Sequence, residues 1–456
     1  MLRQVYNPYL PSYEYMADVE PRVFGDRLYV FGSHDRFGGT EACLNDFVCW
    51  STPTSDLAGW RYDGVIYERF QHPHYVDESR KILQAPDVAL APDGRYYLFY
   101  TVAGSGVVSV AVCDTPSGRY EYHGDVDPGS KNEDWYRADP AVMVDDSRIW
   151  LYLGISNGAM RRRGQPVVME LAHDMLTVIG EPRNILPPDR FFFRHGFSGA
   201  PSIRKMGDLY YLTYDARFHK GLHYCTSLCP DRDFTYRGPI HSASDIGIPG
   251  VGRRGTAYPS GGCHGGIAQV DGQAYIFNHR HTNRTAFSRQ GVAQRIQIEP
   301  DGAIRQTEAT SCGLNGGPLD GCGEYPAFIA CNLVASVFPG IRNPFHTPYI
   351  TQEGPDRDSP PSQYIAGMGS GGMAGFKSFH FNGETVATVT LRGSARGRMH
   401  VRIKPAGKPL ATFDIALDTG GWKEFTTKIK MPSDVHPVFY QYQGRGSVDF
   451  VSFSFQ

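Results

Sequence analysis

The chain has 456 residues, with 52 glycines, 32 prolines, 13% aromatic residues and a formal net charge of −2. That length exceeds one ordinary core and makes two domains the expectation. The near-neutral charge argues against nucleic acid or an acidic membrane surface as partner, and no apolar run is long enough to span a bilayer.

The start, MLRQVYNPYLPSYEY, has no basic-then-apolar leader pattern, so a cytoplasmic location is expected. Cysteines are scattered and lack zinc-type spacing. They read as buried thiols rather than disulfides, although Cys43 with Cys49 and Cys312 with Cys322 have the spacing of cross-strand neighbours.

Long helical periodicity is absent, and short alternating strands separated by turn residues predict an all-β fold. Residues 13–36, YEYMADVEPRVFGDRLYVFGSHDR, carry Asp18, an apolar run, a Gly25-Asp26 turn and an alternating aromatic strand, the pattern of a β-hairpin. Asp is a poor strand former, so an Asp opening this strand points to a role other than packing. The pattern returns in APDVALAPDGRYYLFYT, RADPAVMVDDSRIWLYLG, FSGAPSIRKMGDLYYLTYD and GCHGGIAQVDGQAYIFNHRHT, opened by Asp87, Asp139, Gly199 and His264. A repeat of roughly sixty residues leaves room for about four strands per unit, and such units bury both faces by packing radially. The expectation is a five-bladed β-propeller over residues 1–308, with those opening residues converging on its axis. The Gly- and Cys-rich segment 309–329 reads as a connector, and the short strands of 330–456 as a jelly-roll-like β-sandwich.

Carboxylates converging at one end of a propeller channel suit glycoside hydrolysis, which needs one carboxylate as base or nucleophile and one protonated acid. A further acid raises its neighbour's pKa by like-charge repulsion. Aromatic, Arg and His side chains that could hold a sugar near the rim are Phe31, His34, Trp50, Phe191, Phe192, Phe193, His279 and Arg280. Strand alternation lets only one of His279 and Arg280 face inward.

The opening NPYLPSYEYMADVEPRVFGDRLYVFGSHD, with RADPAVMVDDSRIWLYLG and CHGGIAQVDGQAYIFNHRHTNRTAFSRQG, resembles glycoside hydrolase family 43. The C-terminal strands resemble a family 6 carbohydrate-binding module. The resemblance implies a five-bladed propeller, Asp18 as general base and Asp139 as the pKa-modulating carboxylate. It further implies Arg289 as a sugar-binding residue, and His264 beside a calcium ion or water cluster at the propeller centre. Without the resemblance, His264 reads as a satisfied core histidine, and Asp87 is either a substrate contact or a blade cap.

The fourth unit departs from the family pattern. The general-acid Glu is expected before Ala200, where HGFSGAPSIRK places Gly199 after Ser198, and Gln294 stands where related sequences carry Glu. Three readings follow: an inactivated variant, an acid supplied from elsewhere with Asp215 as one candidate, or a carbohydrate-binding propeller without catalysis. The functional expectation is an inverting exo-glycosidase acting on arabinose- or xylose-containing oligosaccharides or polysaccharides. An α-L-arabinofuranosidase is favoured over a β-xylosidase or galactofuranosidase.

Overall fold

The computed structural model describes residues 4–73, 82–127, 136–156, 165–186, 195–217, 220–252, 255–335, 347–358 and 362–456. The expected propeller is formed by strands from Met16–Phe24 to Arg289–Ile296. Blade one is the antiparallel meander Met16–Phe24, Arg27–His34, Phe47–Pro53 and Arg61–Tyr67. Blades two, three and four repeat it, starting from Leu83–Leu90, Tyr136–Asp145 and Phe197–Met206. Blade five has three strands, Ile267–Val270, Gln273–His281 and Arg289–Ile296.

Alternation explains why these sequences stay in blades. In Arg27–His34 and its counterparts, apolar side chains leave both faces of the sheet and enter the spaces between neighbouring blades. Phe31, Phe47, Leu98 and Tyr100 fill the space between blades one and two, and Tyr97, Phe99, Val142 and Leu151 that between two and three. Equivalent clusters join three to four and four to five. The ring closes where Val19, Val30, Tyr275 and Phe277 pack together with Tyr9 and Leu10 from the N-terminal segment. Asn7 fastens this closure by accepting from the Ala293 amide (2.9 Å) and donating to the carbonyls of Ala293 (2.9 Å) and Thr310 (3.0 Å).

The C-terminal part is one nine-stranded sheet curled around its own core. Three long strands, Val386–Arg402, Ala411–Lys428 and Asp434–Phe455, form its body, and Phe376, Phe379, Phe450 and Phe453 lie at its centre. The segment read as a connector is partly built into this sheet. Leu319–Asp320 pairs in parallel with Met373–Phe381, and Gly323–Pro326 pairs with the last strand. Short polar-looking segments become strands here because a sheet edge already stands beside them, a tertiary cue without a local signal. The curled sheet docks on the propeller through Tyr15 to Gln352 (2.6 Å), Gln363 to the Ser12 carbonyl (2.6 Å) and Lys377 to Asp245 (2.8 Å). All nine cysteines are free.

Candidate active site

The inner strands of the first four blades share a defect. Pairing slips between Ala17 and Glu20, between Gln84 and Asp87, opposite Tyr152 and Gly154, and between Gly199 and Ser202. Each slip holds one residue in the left-handed region: Asp18 (φ 53), Ala85 (φ 46), Asp139 (φ 55) and Ala200 (φ 58). A bulge of this kind re-aims a side chain, and non-glycine residues adopt such φ values at a cost of order 1–3 kcal/mol. Asp18 and Asp139 are therefore structural equivalents, both only partly buried.

Asp18 is held from several sides. Its amide donates to His279 Nδ1 (3.2 Å), and both its oxygens accept from Arg289 Nη1 (2.9 and 3.0 Å). Arg289 is itself fixed by Asp35, through its Nε (2.8 Å), Nη2 (2.9 Å) and main-chain amide (3.0 Å). Burial alone would raise the Asp18 pKa, but the Arg289 guanidinium, His279, His264 and Ser33 together outweigh it and hold the carboxyl well below the usual range. Asp139 is shifted the other way. Burial and the nearby Asp18 charge raise its pKa, against the pull of His264, while its Oδ2 accepts the Ala200 amide at 3.0 Å.

His264 stands between these carboxylates, with Nδ1 3.9 Å from Asp18 Oδ1 and Nε2 3.6 Å from Glu20 Oε1. Burial would depress its pKa, yet Glu20, Asp18 and Asp139 together push it up to about 9. It is thus an imidazolium at neutral pH, the counter-charge of an acidic cluster. His279 is the opposite case: burial drives its pKa well below the ordinary value, which fits Nδ1 accepting the Asp18 amide.

A layer of ion pairs forms the floor beneath. Glu20 Oε2 accepts from Ser202 Oγ (2.8 Å) and Arg204 Nη2 (2.7 Å). Asp87 accepts from Arg22 Nε (2.9 Å) and from the amides of Val88 and Val142 (both 2.8 Å). Asp87 is fully buried with both oxygens engaged, so it braces three blades and has no free edge for a sugar. Its true counterpart in blade one is Glu20, two residues beyond Asp18, since the blade-two bulge carries Ala85 instead of an acid.

Other sugar-contact candidates also move into the framework. Phe31 is fully buried between blades one and two. His34 is enclosed by Glu14 (2.7 Å), the Asp46 carbonyl (2.8 Å) and Arg357 (3.0 Å), and Trp50 donates to the same Glu14 at 2.8 Å. Alternation points His279 at Asp18 and Arg280 away from it, where Arg280 meets Gln290 (2.9 Å) and the Ala330 carbonyl (3.2 Å). Gln294 lies five positions after Arg289 on the same strand, hence on the other face; it accepts from Thr310 Oγ1 at 2.6 Å and shares a small cavity with Arg280. Arg289 spends its donors on Asp18, Asp35 and the Cys43 sulfur (3.4 Å), which makes it the residue that positions the carboxylate. Phe191, Phe192 and Phe193 lie outside the described residues.

Sequence reasoning missed Asp35, Glu14, Glu20, Arg22 and Arg204. The only local sign was an acid or base at an inward strand position, which alternation alone cannot tell from a surface charge. Gly199 lies beside Asp139: a Cβ built on it would meet Asp139 Oδ2 at 3.1 Å and nothing else within 4 Å. Its partner across the ladder is Asp215.

Calcium takes six to eight oxygen ligands. Here Asp18 and Glu20 are committed to arginines and His264 is cationic, and among the described residues no group of His, Cys, Asp and Glu is arranged to hold a metal. These side chains do not fit a directly bound ion, and no chemistry is routed through one.

An ionised carboxylate and a second carboxyl with raised pKa, both acting on His264, can activate water and stabilise developing positive charge at a sugar carbon. Comparison with known proteins agrees with that chemistry. Residues 17–304 match the profile of the glycosyl hydrolases family 43. A xylosidase/arabinosidase of Thermoclostridium stercorarium is 43% identical over 472 residues, covering 100% of this chain and 99% of that protein. An arabinoxylan arabinofuranohydrolase of Bacillus subtilis (strain 168) is 26% identical, covering 96% of this chain and 90% of its own. A crystal structure of a family 43 arabinoxylan arabinofuranohydrolase from Bacillus subtilis, in complex with cellotetraose, shares the fold with TM-score 0.54 at 20% identity, over 99% of this chain and 97% of that one. The chain belongs to glycosyl hydrolase family 43 and is a glycoside hydrolase.

Proposed function

We propose that this enzyme is an inverting exo-glycosidase that releases terminal α-L-arabinofuranose from arabinose- or xylose-containing polysaccharide side chains and oligosaccharides. The observation that supports it is that equivalent bulges in blades one and three present an ionised Asp18 and an Asp139 of raised pKa, both acting on His264. Asp18, held by Arg289, takes a proton from the attacking water. Asp139 orients the site and tunes its charge. The names of relatives at 43% and 26% identity favour arabinosidase or xylosidase substrates.

The test uses matched 4-nitrophenyl α-L-arabinofuranoside and β-D-xylopyranoside, with kcat/KM expected to favour the arabinoside. NMR of the first-formed sugar should show inverted configuration, as single displacement requires. Asp18→Ala should lower kcat/KM on both by at least about 10²–10⁴-fold, the usual worth of a general base. Retained configuration, or an active Asp18→Ala enzyme, would remove the assignment.

A further inference from the structure

We propose that Asp215 is the general acid of this site, taking the role that position 199 cannot fill with a glycine. The inference rests on the glycosidase reading above and adds the residue that protonates the leaving oxygen.

The geometry begins with the ladder. Gly199 on Phe197–Met206 pairs directly with Asp215 on Leu209–Ala216. Side chains directly opposite each other project from the same face of a sheet, with Cβ atoms about 4.5–5.5 Å apart. A carboxylate at 215 therefore lies one strand further from the axis than one at 199 would, on the same side. Gly199 leaves the space between them open, because the one atom near its missing Cβ is Asp139 Oδ2. The carboxyl at 215 thus faces the same neighbourhood as Asp139 and His264.

The state of the side chain fits the role. Asp215 is only partly exposed, and its Oδ1 is buried without a hydrogen-bond partner. Leaving an ionised carboxylate oxygen so unpaired is costly, and protonation relieves the cost. The groups facing it are Lys220 in the turn after its own strand, the Cys263 main chain and His264 before blade five, and Asp139 from blade three. Burial raises its pKa, Asp139 adds to this, and Lys220, Cys263 and His264 oppose; the outcome is a carboxyl pushed up to about 7. A proton held there at neutral pH is available for transfer.

In the reaction the Asp215 O–H proton goes to the glycosidic oxygen as the bond from that oxygen to the anomeric carbon breaks, its electron pair staying on the leaving oxygen. Water forms the new bond from the opposite side and gives its proton to Asp18. Asp215 ends as carboxylate and Asp18 as carboxylic acid, and exchange with solvent restores both.

The experiment compares wild type with Asp215→Asn on an arabinofuranosyl oligosaccharide and on 4-nitrophenyl α-L-arabinofuranoside, whose leaving group needs little protonation. Asp215→Asn should lose about 10²–10⁴-fold in kcat/KM on the oligosaccharide, far less on the aryl glycoside, and the basic limb of its pH profile. Adding Gly199→Glu to Asp215→Asn should restore oligosaccharide turnover. Equal losses on both substrates, or an unchanged basic limb, would overturn the proposal. Should the variant misfold, carboxyl ¹³C NMR of the wild type decides: titration of Asp215 near pH 7 supports the role, and titration near an ordinary aspartate value removes it. An Asp18→Ala enzyme that keeps its rate would instead sink the underlying reading, with the leaving-group pattern of Asp215→Asn still interpretable on its own.

Discussion

Arg289 shows how one side chain sets the electrostatics of the site. Its guanidinium spans Asp18 and the fully buried Asp35, so the fork that fixes the base also cancels a second buried charge. Lysine at this position offers a point charge that satisfies one carboxylate and leaves the other short. In Arg289→Lys the Asp18 pKa should rise, since the cation that lowers it is weakened. Protonation of the base then sets in at higher pH, so the acidic limb of kcat/KM should move up by about one unit, measured on the aryl arabinoside. A limb that stays in place would show that Arg289 does not control Asp18. The role proposed for Asp18 was read from the sequence, because its distance from the turn and the surrounding motif are local features. Asp35 was not, because its partner is 254 positions away.

At the scale of the element, the recurring bulge is what re-aims a side chain of a framework strand toward the proposed site. It places one residue of each of the first four inner strands in the left-handed region, and two of these, Asp18 and Asp139, are the proposed site carboxylates. In blade two it is Ala85, buried and strained with no chemistry to perform. Ala85→Gly should relieve that strain and stabilise the fold by about 0.5–1 kcal/mol, read as a rise in the urea midpoint with activity unchanged; a lower midpoint would mean that the methyl's packing outweighs the strain. The same bulge explains why Asp87 reads as an equivalent of Asp18 in sequence and stands two residues away from it in space. An extra unpaired residue changes register without any residue type that announces it.

For the whole molecule the decisive event is closure of the ring. Asn7 satisfies the Ala293 amide, the Ala293 carbonyl and the Thr310 carbonyl, all beside the last blade strand. Asn7→Ala leaves these buried groups unpaired and should cost about 2–4 kcal/mol, with amide exchange fastest to rise in Arg289–Ile296. Uniform exchange across the blades would instead place the closing strength in the apolar cluster of Tyr9, Val30 and Phe277. Because Arg289 starts that strand, loosening it should also lower activity.

Alternation, turn residues and a repeated phrase were sufficient to determine the five-bladed ring and the all-β second part, and they drew attention to Asp18 and Asp139, because each is written in residues close together in the chain. The floor of ion pairs between Glu20, Arg204, Arg22 and Asp87 belongs to the tertiary structure. So do the sheet built from residues 319–326 and the meeting of Gly199 with Asp215. Those depend on which strands are neighbours and in what register, and a sequence read one residue at a time carries no term for a partner that only folding brings within reach.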